Sequence, residues 1–505
     1  MRRLVAYRFV LALLMIVALA AEFGLASISH HPAALASGQG TPEPTRATVS
    51  AVLRACPGPG SGGTVGSGLA VAAASAGAGQ ATVSRLLPAG AASASAPLKV
   101  LTQPGLLSLL SVATAPAVPR GLAQSSDASA PVPTVPARGG VIVQATGSMA
   151  RAFEAEQANP GGLSTAQCLA PGTDFWFVGP GQRSASDIQL YLMNTDGEAA
   201  DVGVQVLTDS GPVLGSSDAG IGIPPHSMVV QSLAGLVRGS RVVALNVTTS
   251  VGRVVAAVQE TSGSGQPGAW LPAAEPPANS QVLPGLPGTP GGRNLYIAVP
   301  GSGNAEIKVT AITARGSYQP TGGTGIDLPG GSAISVQLPS LGGIPAAIQI
   351  SSSVPVTATM GMPGGAAGAP GAFTAATSPV QEQGVIAGDP GSGGASSLVL
   401  SAPGGAAQVQ VTELTAAGQA TGSSATQTVS LAAGHSEVLN LPVPRQDGRP
   451  MSFAVIVTPQ AGSGPVYAGR VVTQDGAVES ILPVNSSLSW VPLPVVHSSV
   501  TAGLP

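Results

Sequence analysis

Glu154 and Glu156 stand two positions apart and alternate with small residues. Paired carboxylates can divide acid and base roles in glycoside hydrolysis, but such pairs meet only in the fold. Asp209, Asp218 and Asp327 lie near turn residues. His226 and His435 fall in comparable turns, Ile223-Pro224-Pro225-His226-Ser227 and Leu431-Ala432-Ala433-Gly434-His435, where an exposed polar residue is expected. His30-His31 lies beside the N-terminal apolar run. Gly58-Pro59-Gly60-Ser61-Gly62-Gly63 fits G-x-G-x-x-G. A dinucleotide fingerprint needs a strand before it and a helix opening inside it. Here Pro57 and Pro59 stiffen the loop, and no helical pattern follows. The sequence has no G-x-S-x-G elbow, no phosphate cradle, no H-E-x-x-H and no calcium loop; its lysines are Lys99 and Lys308. The expectation is therefore no catalytic residue, no cofactor, no metal, and no enzyme activity.

Composition narrows the class. Charged residues are 9% of 505, against about 25% in ordinary globular chains. Net charge is −3, without a Lys/Arg cluster to neutralise phosphates, so nucleic acid is not an expected partner. Gly and Pro number 69 and 46, rich but without a collagen period. Aromatics are only 3%, so aliphatic side chains must build the cores.

Arg2, Arg3 and Arg8 precede an apolar run from Phe9 to Ala21. This is the pattern of an export signal, with small-x-small sites at Ala18-Leu19-Ala20 and Ala34-Leu35-Ala36. Phe23 to Ile28 extends the run, so an uncleaved membrane anchor is the other reading. Either way the remainder is expected outside the cytoplasm, with membrane contact only through this segment. Cys56 and Cys168 are the two cysteines, and in an oxidising compartment they are expected to form one bridge.

The positions of these residues depend on a repeat. An Ala–polar–aliphatic step recurs at Ala81-Thr82-Val83, Ala200-Asp201-Val202, Ala305-Glu306-Ile307 and Ala407-Gln408-Val409. Tyr191 and Tyr296 share the offset of 105 that separates Ala200 from Ala305. A further repeated segment runs through Val141-Ile142-Val143, Leu245-Asn246-Val247, Ile348-Gln349-Ile350 and Val455-Ile456-Val457. Period-two alternation, as in Val202-Gly203-Val204-Gln205-Val206, predicts strands with one buried face. The fold class expected is all-β: about four immunoglobulin-like sandwiches of ~100 residues in tandem. The boundaries read as 1–36 for the signal or anchor, then 37–180, 181–290, 291–392 and 393–505, the first unit degenerate. Segments 262–292 and 363–394 read as Gly/Pro/Ala-rich linkers, with short returning strands near Trp270 and Phe373. One large aromatic trails each unit: Trp176, Trp270, Phe373, Trp490. These residues plug seams between units or form a sugar-stacking platform.

Cys56-Pro57-Gly58-Pro59, the stretch Cys168-Leu169-Ala170-Pro171-Gly172-Thr173-Asp174-Phe175-Trp176-Phe177-Val178-Gly179, and Trp270-Leu271-Pro272 resemble an uncharacterised family of exported actinobacterial proteins, domain of unknown function 5719. The resemblance covers most of the chain after the signal. It implies an envelope setting and carries over no catalytic residue. The functional expectation is an exported, non-catalytic envelope protein offering sandwich surfaces to a protein or glycan. The alternative is a polysaccharide-active enzyme, or its accessory subunit, with a site between units.

Overall fold

The computed structural model describes residues 46–492 apart from internal stretches, the longest being 59–66, 91–98, 102–107, 115–133, 159–164, 214–219, 262–268, 363–371 and 416–425. The N-terminal run and the G-x-G-x-x-G segment beyond Gly58 therefore lie outside the described residues, as do His30, His31 and Asp218. Among the described residues the structure is strands plus a single 3-10 turn at Ser148–Ala150, and no helix is long and apolar enough to cross a membrane. Residues 48–490 form one compact unit and are described on their own; residues 1–47 and 491–505 are grouped as another.

Alternating Val, Ile and Ala place one strand face inward at every second residue. Ala200–Thr208 follows this rule, with Val202, Val204 and Val206 buried. The same pairing order recurs in the sheets. In each case a central strand lies between two antiparallel neighbours: Gly140–Gly147 between Ala51–Cys56 and Gly79–Pro88, and Val242–Val251 between Asp174–Pro180 and Ala200–Thr208. Ala346–Met362 lies between Ala278–Leu286 and Ala305–Thr313, and Phe453–Pro459 between Gly384–Asp389 and Ala407–Thr415.

A second sheet faces each of these. Ser67–Ala73 is flanked by Ser108–Thr114 and Phe153–Ala158; Asp187–Asn194 by Ser227–Ser232 and Val255–Thr261. Arg293–Val299 is flanked by Ser332–Leu338 and the far end of Ala346–Met362; Ala395–Ala402 by His435–Leu441 and Tyr467–Gln474. Tyr191, Tyr296 and Val399 hold one register: each pairs with a residue 39 positions later, Val230, Ser335 and Val438. The strands thus fall into four groups along the chain, the first to fourth sandwiches; Ser227 and Met228 pair with Leu87 and Pro88, so the first two share one eight-stranded sheet, and the buried aliphatic clusters reach from one group into the next.

The strand edges differ from the sequence boundaries. Asp174–Pro180 pairs with Val242–Val251, beyond the boundary drawn at 180. Ala278–Leu286, read as linker, is a strand of the third sandwich, and Gly384–Asp389 one of the fourth. Their Gly and Pro read as turn residues, but in both strands the register shifts at a bulge, where such residues are at home. Gly285 takes φ +80 and sits against Gly469, whose added Cβ would lie 2.5 Å from the Gly285 Cα. Glycine at both positions lets the third and fourth sandwiches touch backbone to backbone.

Candidate functional site

Several of the chemistry-bearing residues, Glu154, Glu156, Trp176, Trp270 and Phe373 among them, lie at the seams between sandwiches. Cys56 and Cys168 form a disulfide in the core of the first sandwich, both essentially unexposed. It closes a separation of 112 residues. Next to it begins the seam with the second sandwich. There Ala55, Leu86 and Ala166 meet Tyr191, Met193, Met228 and Trp270. The Tyr191 and Trp270 rings stand 5.1 Å apart, and the Tyr191 hydroxyl donates to Gln259 or Gln189, each 3.0 Å away.

Across the second seam, Tyr296, Ala298, Ala333 and Phe373 join the core of the second sandwich. A Cβ on Gly361 would meet the Phe373 ring at 2.7 Å and the Tyr296 ring at 3.0 Å, so glycine makes the space those rings use. Trp176 packs here against Ala274 and Ala375. Burial pushes the Tyr296 phenol up to about 12, with nearby Glu260 adding to the effect. Burial likewise raises the Glu260 carboxyl to about 7. At the third seam Val399, Val471, Val478 and Ile481 of the fourth sandwich join the core of the third.

The fourth seam joins the last sandwich back to the first. Ala70, Ala72 and Ala152 pack on Val385, Ala387, Ala454 and Ile456. Glu154 and Glu156, adjacent on one face of Phe153–Ala158, both point into this region and are buried. Arg54 makes a bidentate contact to Glu154 at 2.9 and 3.2 Å, and Ser487 donates to Glu154 at 2.9 Å. Glu156 accepts from the Ala387 amide at 2.6 Å and lies 3.5 Å from the Arg470 guanidinium. Burying a carboxylate is costly unless it is paired and hydrogen-bonded, and both are.

Strands at the ends of their sheets, Thr165–Gln167, Asp174–Pro180, Ala269–Leu271 and Ala477–Pro483, meet at a cleft lined by Gln167, Leu169, Phe177, Trp270, Pro272 and Leu482 among others. The cleft is partly open to solvent, and its volume is about 30 Å³, room for a water molecule. The four aromatics singled out from sequence thus divide: Trp176, Trp270 and Phe373 are each 6% exposed at seams, whereas Trp490 is 45% exposed. His226 is exposed with φ +48, at the turn position that Gly331 and Gly434 fill elsewhere with φ +72 and +73. His435 begins the next strand, and its Nδ1 lies 2.9 Å from the Ala433 carbonyl. Asp209 is exposed and accepts from the Arg241 amide; Asp327 is exposed on an edge strand. Among the described residues, no group of three or more His, Cys, Asp or Glu is placed to hold a metal.

Sequence reading missed Arg54, Arg470 and Ser487. Arg54 and Arg470 carry a signal: an Arg inside an aliphatic strand of a chain with 9% charge needs a partner.

Among curated proteins none matches the chain. A solved structure, an anti-sigma factor domain-containing protein from Clostridium clariflavum, aligns at 12% identity over 68% of this chain and 85% of that one, with a TM-score of 0.12, too slight a likeness to carry fold or function. The model of a family of unknown function, DUF5719, matches residues 122–442, which take in the second and third sandwiches whole and part of the first and fourth; the chain belongs to that family.

Proposed function

We propose that this protein is an exported, non-catalytic component of the cell envelope, held by or released from its N-terminal segment, and that its tandem immunoglobulin-like sandwiches present surfaces to a protein or glycan partner. The observation that carries the non-catalytic reading is the engagement of Glu154 and Glu156. Each is buried and committed to an arginine and a second donor at a seam. A general acid must be free to reach substrate. The disulfide supports export, because such bridges persist in oxidising compartments. The recurring sheet order supports the tandem-repeat reading, with strand offsets near ~100 residues, the size of an immunoglobulin domain. Exposed Trp490 is the aromatic best placed to stack on a sugar.

The test has two arms. Cells producing the full chain are fractionated, and the protein is expected in the envelope or medium with Cys56 and Cys168 oxidised. The purified chain is then incubated with envelope polysaccharide, where retention without hydrolysis is expected. Hydrolysis lost in E154Q or E156Q, with the circular dichroism spectrum unchanged, would replace this reading by the enzymatic one.

A further inference from the structure

Three seams join sandwiches that are consecutive in the chain. The fourth joins the last sandwich to the first, and the packing thereby runs in a closed cycle through residues 48–490. The segment after Pro483 holds this closure. Asn485 donates to the Gln167 side chain at 2.9 Å, and Ser487 to Glu154 at 2.9 Å. The Ala152 amide donates to the Leu488 carbonyl at 3.3 Å, and the Val49 amide to that of Ser489 at 2.9 Å. On its other side the same segment is gripped by the fourth sandwich. Ser487 donates its amide to the Gln383 carbonyl at 2.7 Å, Ser486 accepts from the Gln381 amide at 2.9 Å, and the Ser489 amide donates to Glu382 at 3.0 Å.

We propose that residues 484–489 are a latch that gates the central cleft. The cleft is lined by the first, second and fourth sandwiches, so parting the first from the fourth divides its wall. As it stands it holds about 30 Å³, room for little more than a water molecule, so a larger occupant requires its walls to part. This seam is built to open without unfolding a sandwich. Its apolar part is mostly alanine, which loses little on exposure. Its charged pair, Glu156 and Arg470, regains hydration when parted, offsetting much of the lost attraction. No peptide link ties its two sides locally, whereas each other seam is bridged by the chain itself.

Hydrogen exchange on the full chain, read at single amides, tests this. The Ala152 and Ala387 amides donate across the seam, to the Leu488 carbonyl and the Glu156 carboxylate. In N485A/S487A these two are expected to exchange roughly ten- to a hundredfold faster than in wild type. Amides of Asp187–Asn194 and Arg293–Val299 should keep their rates. Ser487→Thr, which retains the hydroxyl, should restore slow exchange when combined with the native Asn485. Unchanged rates at Ala152 and Ala387, or equal acceleration everywhere, would overturn the latch. If N485A/S487A does not fold, rising urea on the wild-type chain decides. Release of Ala152 and Ala387 before the two internal strands supports the latch, and simultaneous release refutes it.

Discussion

Glu156 and Arg470 meet across 314 positions of sequence, the carboxylate Oε2 3.5 Å from Nη1, with both side chains buried. Arg470 also donates to the Gly388 carbonyl, and Glu156 also accepts from the Ala387 amide, so each charge has a second, neutral partner. The pair therefore specifies which face of the first sandwich meets the last.

Removing one member strands the other. R470M or E156Q is expected to lower stability by about 3–5 kcal/mol, while the double variant recovers much of that loss. Urea denaturation of the four corners of this cycle measures the coupling. Single-variant losses that simply add would show that the two charges do not interact.

The disulfide acts through the unfolded chain. Closing a loop of 112 residues is worth about 4–5 kcal/mol in the chain-entropy model. C56S/C168S should therefore melt the first sandwich well before the other three. Differential scanning calorimetry should resolve a new early transition, and one unshifted transition would contradict this.

The all-β character was legible because strands such as Ala305–Thr313 alternate buried and exposed residues from Ala305 to Val309, and the two cysteines, being the only pair, named the bridge. The strands Ala278–Leu286 and Gly384–Asp389 were not legible. Their Gly and Pro serve bulges and close backbone approach, and local patterns cannot distinguish that from a linker. The seam chemistry was half legible. Glu154 and Glu156 stand out by type, but Arg54, Arg470 and Ser487 reach them only through long-range packing. Trp490 shares its chain position with the other trailing aromatics yet is exposed, since burial depends on what a neighbouring sandwich covers.

Glycine should be the better residue at position 226. His226 holds φ +48, a region that costs a side chain about 1–2 kcal/mol, and Gly331 and Gly434 occupy the matching turns. H226G is expected to gain up to about 1 kcal/mol, and H226V to lose a similar amount. Thermal melts of the two variants check both signs, and a destabilised H226G would count against turn strain.

Tight backbone contact makes Gly469 intolerant. An alanine there would place Cβ 2.5 Å from the Gly285 Cα and 2.9 Å from its nitrogen, atoms that cannot swing aside. G469A should cost about 1–3 kcal/mol by forcing the third and fourth sandwiches apart. Limited proteolysis should then cleave between them, and a wild-type digestion pattern would refute the contact.

Glu260 makes stability depend on pH. Its carboxyl is buried near the Tyr296 phenol, and burial raises it to about 7 from an ordinary value near 4.5. Its cross-strand partners in the same sheet, Ile188 and Ala269, are both uncharged. A raised acid binds its proton more tightly in the folded state, so folding is favoured by protonation. This stabilising contribution is complete below pH ~4.5 and is lost as pH rises through about 7. The span corresponds to a few kcal/mol. E260Q, neutral at every pH, should remove this slope between pH 5 and 8 and exceed wild type in stability above pH ~7. Denaturation midpoints of both proteins across that range provide the measurement, and parallel pH profiles would show that Glu260 is not the titrating group.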